Sequence, residues 1–147
     1  MALREDAPVH REPVRELRNE LAAPARQAFL ILRTGFTVLP IVMGADKFLH
    51  ILTQDWTKYL WPGIPRMTGI DAGVIMVAVG VVEILAGILV AISPCHFAWL
   101  VAAWLALIVG NLLLLGGFLD VAMRDVGLIV GAIALALLAR AVHEREA

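Results

Sequence analysis

Two ionisable side chains, Arg33 and Glu83, interrupt long apolar runs, and they are the first candidates for chemistry. An ionised group at the middle of a bilayer costs at least about 2.5 to 3.5 kcal/mol, so Glu83 must be paired, protonated or wet. Arg33 is the expected partner. It lies about 9 Å into the first run and Glu83 about 14 Å into the second from the same side, at ~1.5 Å per residue. A long arginine side chain spans that difference. Such a pair serves as a proton relay, as part of a headgroup or quinone site, or as a structural salt bridge that sets helix register.

Further polar groups are spaced for helices. Arg33, Thr37, Pro40, Gly44 and Lys47 fall at alternating steps of four and three, which keeps them on one helical face turned into a bundle. Pro40 removes a backbone donor and should bend that helix, either opening a small cavity or easing packing. Gly73, Gly80 and Gly87 recur every seven residues and bracket Glu83, placing the carboxylate on a close-packing face. Gly127 and Gly131 form a shorter small-residue step of the same kind. Asn111 is the one strongly polar side chain of the third apolar run, so it joins Arg33, Lys47 and Glu83 as a buried or ligand-facing candidate.

A second polar group should gather where the runs end: Asp46, Lys47 and His50, then Asp71, then Asp120, Arg124 and Asp125. Asp46 and His50, four apart, would offer a metal two ligands but no third, so no metal site is expected. His10, His96 and His143 form no ligand constellation. The single cysteine, Cys95, excludes an internal disulfide or a CxxC pair. No phosphate-binding loop, dinucleotide fingerprint or nucleophile motif is present. With a net charge of −1, nucleic acid is not an expected partner.

The elements that must hold these residues follow from composition. Of 147 residues 61% are hydrophobic and 17% charged, and the charges cluster in the tails and in the segment 53–71, so the expected solvent is a bilayer. Four runs are long enough to cross it, at about 27–51, 72–92, 97–119 and 121–142. The expected fold class is therefore all-α, a polytopic four-helix membrane bundle with a polar N-terminal extension over 1–26 and a short tail over 143–147. Ser93 to His96 is so short a link that the second and third runs form an antiparallel hairpin. Lysine and arginine weigh toward the side holding both termini, which places the termini in the cytoplasm. Pro13 is positioned to open a short amphipathic helix carrying Val14, Leu17 and Leu21 on one face, a candidate for docking to a partner; a mobile tail is the alternative. The segment 53–71, with Trp56, Tyr59, Trp61, Pro62 and Pro65, reads as an interfacial anchor in preference to a lid over the bundle.

Three stretches carry a resemblance to a known family: LRTGFTVLPIVMGADKFL, with Arg33, Gly44 and Lys47; VEILAGILV, with Glu83 and Gly87; and RDVGLIVGAIALAL, opened by Arg124 and Asp125. Together they resemble the DoxX-like four-helix membrane proteins over residues 30–140. The resemblance implies an inner-membrane bundle that serves as an accessory or quinone-facing subunit of a membrane redox complex, in contact with lipid and with other membrane subunits. It implies no covalent cofactor; a quinone or lipid is the expected ligand, and catalysis by this chain alone is not expected. A small proton-coupled transporter using Glu83 and a purely structural membrane anchor are the competing readings.

Overall fold

Apolar runs of this length satisfy their backbone polar groups most economically as helices, because lipid offers no hydrogen bonds in exchange. The computed structural model describes Glu16 and residues 19–146. Among the described residues there is no strand, and five helices follow in order: α1 (Ala22–Leu49), the short α2 (Gly63–Thr68), α3 (Ala72–Ile92), α4 (Pro94–Leu115) and α5 (Leu119–Glu146). A single 3-10 turn, Thr57–Tyr59, precedes α2. The four long helices are each long and apolar enough to cross a bilayer. Their outward faces carry large apolar side chains, with Ile31 72% and Met123 71% exposed, an inversion of the soluble pattern that lipid contact explains. The protein is a multi-pass membrane protein.

Helix ends differ from the sequence expectation in informative ways. The first run starts five residues early, at Ala22, and the last continues to Glu146, so most of the expected tail is helical. The hairpin link shrinks to Ser93 alone, because Pro94 occupies the first turn of α4, where its missing N–H costs nothing. Pro13, Val14 and Leu17 of the expected amphipathic helix lie outside the described residues.

The helices associate as two close antiparallel pairs, α1 with α3 and α4 with α5, and the contacts between pairs are sparser. Glycines create the first pair. A Cβ on Gly44 would stand 2.6 Å from the Gly80 carbonyl oxygen, and one on Gly87 would stand 2.6 Å from that of Thr37, so only hydrogen fits at these crossings. Gly73 does not share this role, since its neighbour is the Asp71 carboxylate that caps α3. Gly131 packs on the Phe36 ring, whereas Gly127 has open space beside it, so the expected GxxxG contact reduces to a single glycine.

The bundle is packed unequally along its length. The half opposite the α1–α3 connection holds a core of small side chains, Ala86, Ala98, Ala102, Ala132, Ala136 and Ala139, closed by Phe29, Phe36, Val90 and Leu135. Alanines let the two pairs approach there. In the other half, larger side chains and the connection 50–71 hold the pairs apart, and a cavity of about 430 Å³ lies between them.

Candidate functional site: a lidded cavity between two helix pairs

Four helices and the connection contribute walls to this cavity. Pro40, Met43 and Lys47 come from α1, Met76 and Glu83 from α3, Trp104, Ile108 and Asn111 from α4, and Arg124, Asp125 and Leu128 from α5. Trp56, Tyr59, Leu60 and Ile64 close it from the connection. Its lining is largely apolar, with the polar groups few and identifiable, the usual make-up of a small-molecule site.

The expected Arg33–Glu83 pair does not form. Glu83 instead receives the Lys47 ammonium, Nζ to Oε2 at 2.5 Å, while Arg33 Nη2 donates to the Ala91 carbonyl at 2.5 Å. The glycine crossings decide this. They set Gly44 opposite Gly80 and Thr37 opposite Gly87, which puts Arg33 level with Ala91. From Ala91 to Glu83 is about 12 Å along α3 at ~1.5 Å per residue, beyond what the guanidinium covers. Arg33 therefore satisfies an orphan carbonyl at the C-terminal end of α3, a favourable place for a cation. Lys47, near the opposite end of α1, bends inward where most membrane lysines extend outward to water. It is 5% exposed and also lies 4.1 Å from the centre of the Trp56 ring, so the ammonium is held by a carboxylate and an aromatic face together.

The expected outer cluster separates into individual roles. Asp46, 3% exposed, accepts from the backbone N–H groups of Ile51, Leu52 and Thr53 and from Trp56 Nε1, at 2.7 to 3.1 Å. Its oxygens are thus committed to the start of the connection and are not offered to a metal with His50. His50 itself is exposed and takes the left-handed conformation that ends α1, φ 54°. Among the described residues no three His, Cys, Asp or Glu side chains gather as a metal group. Asp71 accepts from Gly73 N and caps α3, and Asp120 lies exposed in the first turn of α5, where a negative charge suits the helix dipole. Asp125 is buried in the cavity wall beside Arg124, at 3.4 Å, with the arginine side chain itself largely exposed.

The connection covers the cavity as well as lying at the bundle's end, so the lid reading replaces that of a simple anchor. Asn111 is its latch. The amide oxygen accepts from Trp61 N at 2.9 Å and the amide nitrogen donates to Tyr59 O at 2.6 Å, which holds the backbone on both sides of buried Leu60. Tyr59 packs against Phe118 with centroids 4.7 Å apart. At the exposed rim, Asp55 accepts from both the hydroxyl and the N–H of Thr57, which hold its carboxyl below the ordinary range.

Sequence reasoning passed over Trp104. The residue lines the cavity, and its Nε1 is buried and meets no acceptor. An indole N–H is a donor only, and leaving one buried and unmet costs about 1 to 3 kcal/mol. The available signal was position: tryptophans of membrane helices favour the interfaces, and Trp104 sits mid-way along α4.

No protein-family model, curated protein or solved structure matches the chain, so the cavity itself carries the functional reading.

Proposed function

We propose that the protein is a DoxX-like subunit of a membrane redox complex whose cavity receives a quinone-type lipophilic molecule. The observation that carries this reading is the cavity: about 430 Å³, apolar, lidded, and furnished with a few polar groups at membrane depth. That volume falls in the range of small-molecule sites. Arg33, Lys47 and Glu83 are the positions the family resemblance emphasises, and two of the three line the cavity. The bias of lysine and arginine toward the ends holding the termini supports an inner-membrane orientation with both termini in the cytoplasm and the lid outside.

Purification in mild detergent, solvent extraction and optical spectroscopy of the extract test the proposal. A quinone recovered near one per chain, together with co-purifying membrane subunits, is the expected result. A chain that purifies alone and neither retains nor takes up added quinone overturns it. Proton-coupled transport is the second reading, favoured by the placement of Glu83 on the cavity wall. It requires that Glu83→Gln abolish coupled flux in vesicles. The alanine-packed half beyond the cavity offers such a route no continuation, which sets this reading behind the first.

A further inference from the structure

The two carboxylates of the cavity wall, Glu83 on α3 and Asp125 on α5, stand on different helix pairs and are near enough for their charges to interact. Each gives one oxygen to a cation: Glu83 Oε2 to Lys47 Nζ at 2.5 Å, and Asp125 Oδ1 to Arg124 Nε at 3.4 Å. The other oxygens, Glu83 Oε1 and Asp125 Oδ2, have no partner among the described residues, yet neither is sealed from a water-sized probe; the buried side-chain polar atom that is both sealed and unpartnered there is Trp104 Nε1. Side-chain exposure points the same way, 13% for Glu83 and 8% for Asp125 against 4% for Lys47. The polar part of the cavity surface is thus richer in carboxylate than in ammonium.

An ion-paired carboxylate is an acceptor only. Water that reaches its free oxygen does so as a donor, and a ligand that displaces such water without donating in turn loses affinity. The charges themselves are matched, Lys47 with Glu83 and Arg124 with Asp125, so the group called for is a neutral donor on an otherwise apolar molecule, which is a hydroxyl. A quinone brings only carbonyl oxygens and sets acceptor against acceptor, whereas the same molecule in its reduced form carries hydroxyl groups. Resting on the ligand-site reading above, we infer that Glu83 and Asp125 make the cavity a hydroxyl-recognising site that prefers the hydroquinone form of its lipophilic ligand to the quinone form. Carboxylates that merely held the bundle together would affect both forms alike.

The test uses the full chain in lipid nanodiscs under anaerobic conditions, with melting followed at increasing decylubiquinol and, separately, decylubiquinone at matched ligand-to-lipid ratios. Binding to the folded state raises the melting temperature by an amount set by ligand concentration over Kd, so the two series give the ratio of affinities. The expected result is roughly tenfold or tighter preference for decylubiquinol, the value of one hydrogen bond to a charged acceptor. 4-Nonylphenol and 4-nonylanisole, which differ by a methyl group in place of the hydroxyl hydrogen, should separate in the same order. Asp125→Asn turns an acceptor oxygen into a donor and leaves Arg124 largely in water, so it should cut the decylubiquinol preference about fivefold without weakening decylubiquinone. Asp120→Asn, exposed and outside the cavity wall, should change neither affinity. Equal affinity of the parent chain for the two forms, equal binding of nonylphenol and nonylanisole, or equal weakening of both forms in Asp125→Asn overturns this inference and leaves the ligand-site reading standing. Should Asp125→Asn fail to fold, the two parent-chain comparisons decide. Failure of both decylubiquinol and decylubiquinone to bind the parent chain overturns both readings.

Discussion

Replacement of Gly44 by alanine tests the feature that sets the register of the site. The new Cβ would lie 2.6 Å from the Gly80 carbonyl oxygen and 2.8 Å from Ile84 Cγ1, against the 3.4 Å at which ordinary contact begins. Ile84 has other rotamers, but the Gly80 oxygen is backbone. Relief therefore requires α1 and α3 to separate by about 0.8 Å, enough to forfeit a quarter to a half of the attraction in each affected contact. Overpacking of this kind costs about 1 to 3 kcal/mol, and the better helix propensity of alanine returns about 0.5 to 1. A net loss of roughly 1 to 2 kcal/mol follows. Gly35→Ala is the matched control on the same helix, because nothing lies within 4 Å of its Cβ direction; it should be neutral or slightly stabilising. Equilibrium unfolding in mixed micelles with a rising fraction of denaturing detergent gives both values. Lys47 lies one turn beyond Gly44, so the same separation should loosen the 2.5 Å Lys47–Glu83 contact and weaken ligand uptake. If Gly44→Ala proves as stable as Gly35→Ala, the close glycine crossing is not what holds α1 against α3, and the account of why Arg33 misses Glu83 fails with it.

Three other outcomes follow from the site. Glu83→Leu, which strands the Lys47 ammonium, should destabilise by about 3 to 5 kcal/mol, whereas Lys47→Met combined with Glu83→Leu should recover most of that loss; additive single effects in the same unfolding assay would show that the two charges are not coupled. Asn111→Leu removes both bonds that hold the lid backbone, so the amide of Trp61 should exchange its hydrogen about tenfold faster, with the α4 core unaffected, and unchanged exchange would dismiss the latch. Asp55 is held below its ordinary pKa by Thr57, so its two bonds are intact above the unfolded-state value and are lost as pH falls through the folded one. Exchange at Thr57 should therefore accelerate in acid beyond its intrinsic pH dependence, and Asp55→Asn should reduce that acid sensitivity.

Much of the architecture was legible in the chain because its cause is local. Four apolar runs in a sequence with its charges in tails and loop dictate four spanning helices, and the spacing of Gly80 and Gly87 about Glu83 correctly marked a close-packing face of α3. Depth was harder to read. Estimating it from the ends of the runs assumed flush helices, whereas the glycine crossings let α1 extend past the end of α3 and set Arg33 level with Ala91. Asp46 and Lys47, adjacent in sequence and placed together at a surface, proved to be two of the most buried polar residues, one turned to the connection and the other to the cavity.

What the sequence determined by itself, then, was the solvent, the number of crossings and the small set of polar residues that must find partners, since burial of charge in lipid is costly wherever it occurs. Which partner each one found was decided only by tertiary structure. Register between α1 and α3 depends on glycine hydrogens meeting carbonyl oxygens on another helix. The hollow half of the bundle depends on where alanines cease to face each other across two pairs. The buried indole N–H of Trp104 is seen to lack an acceptor only once the helices are packed.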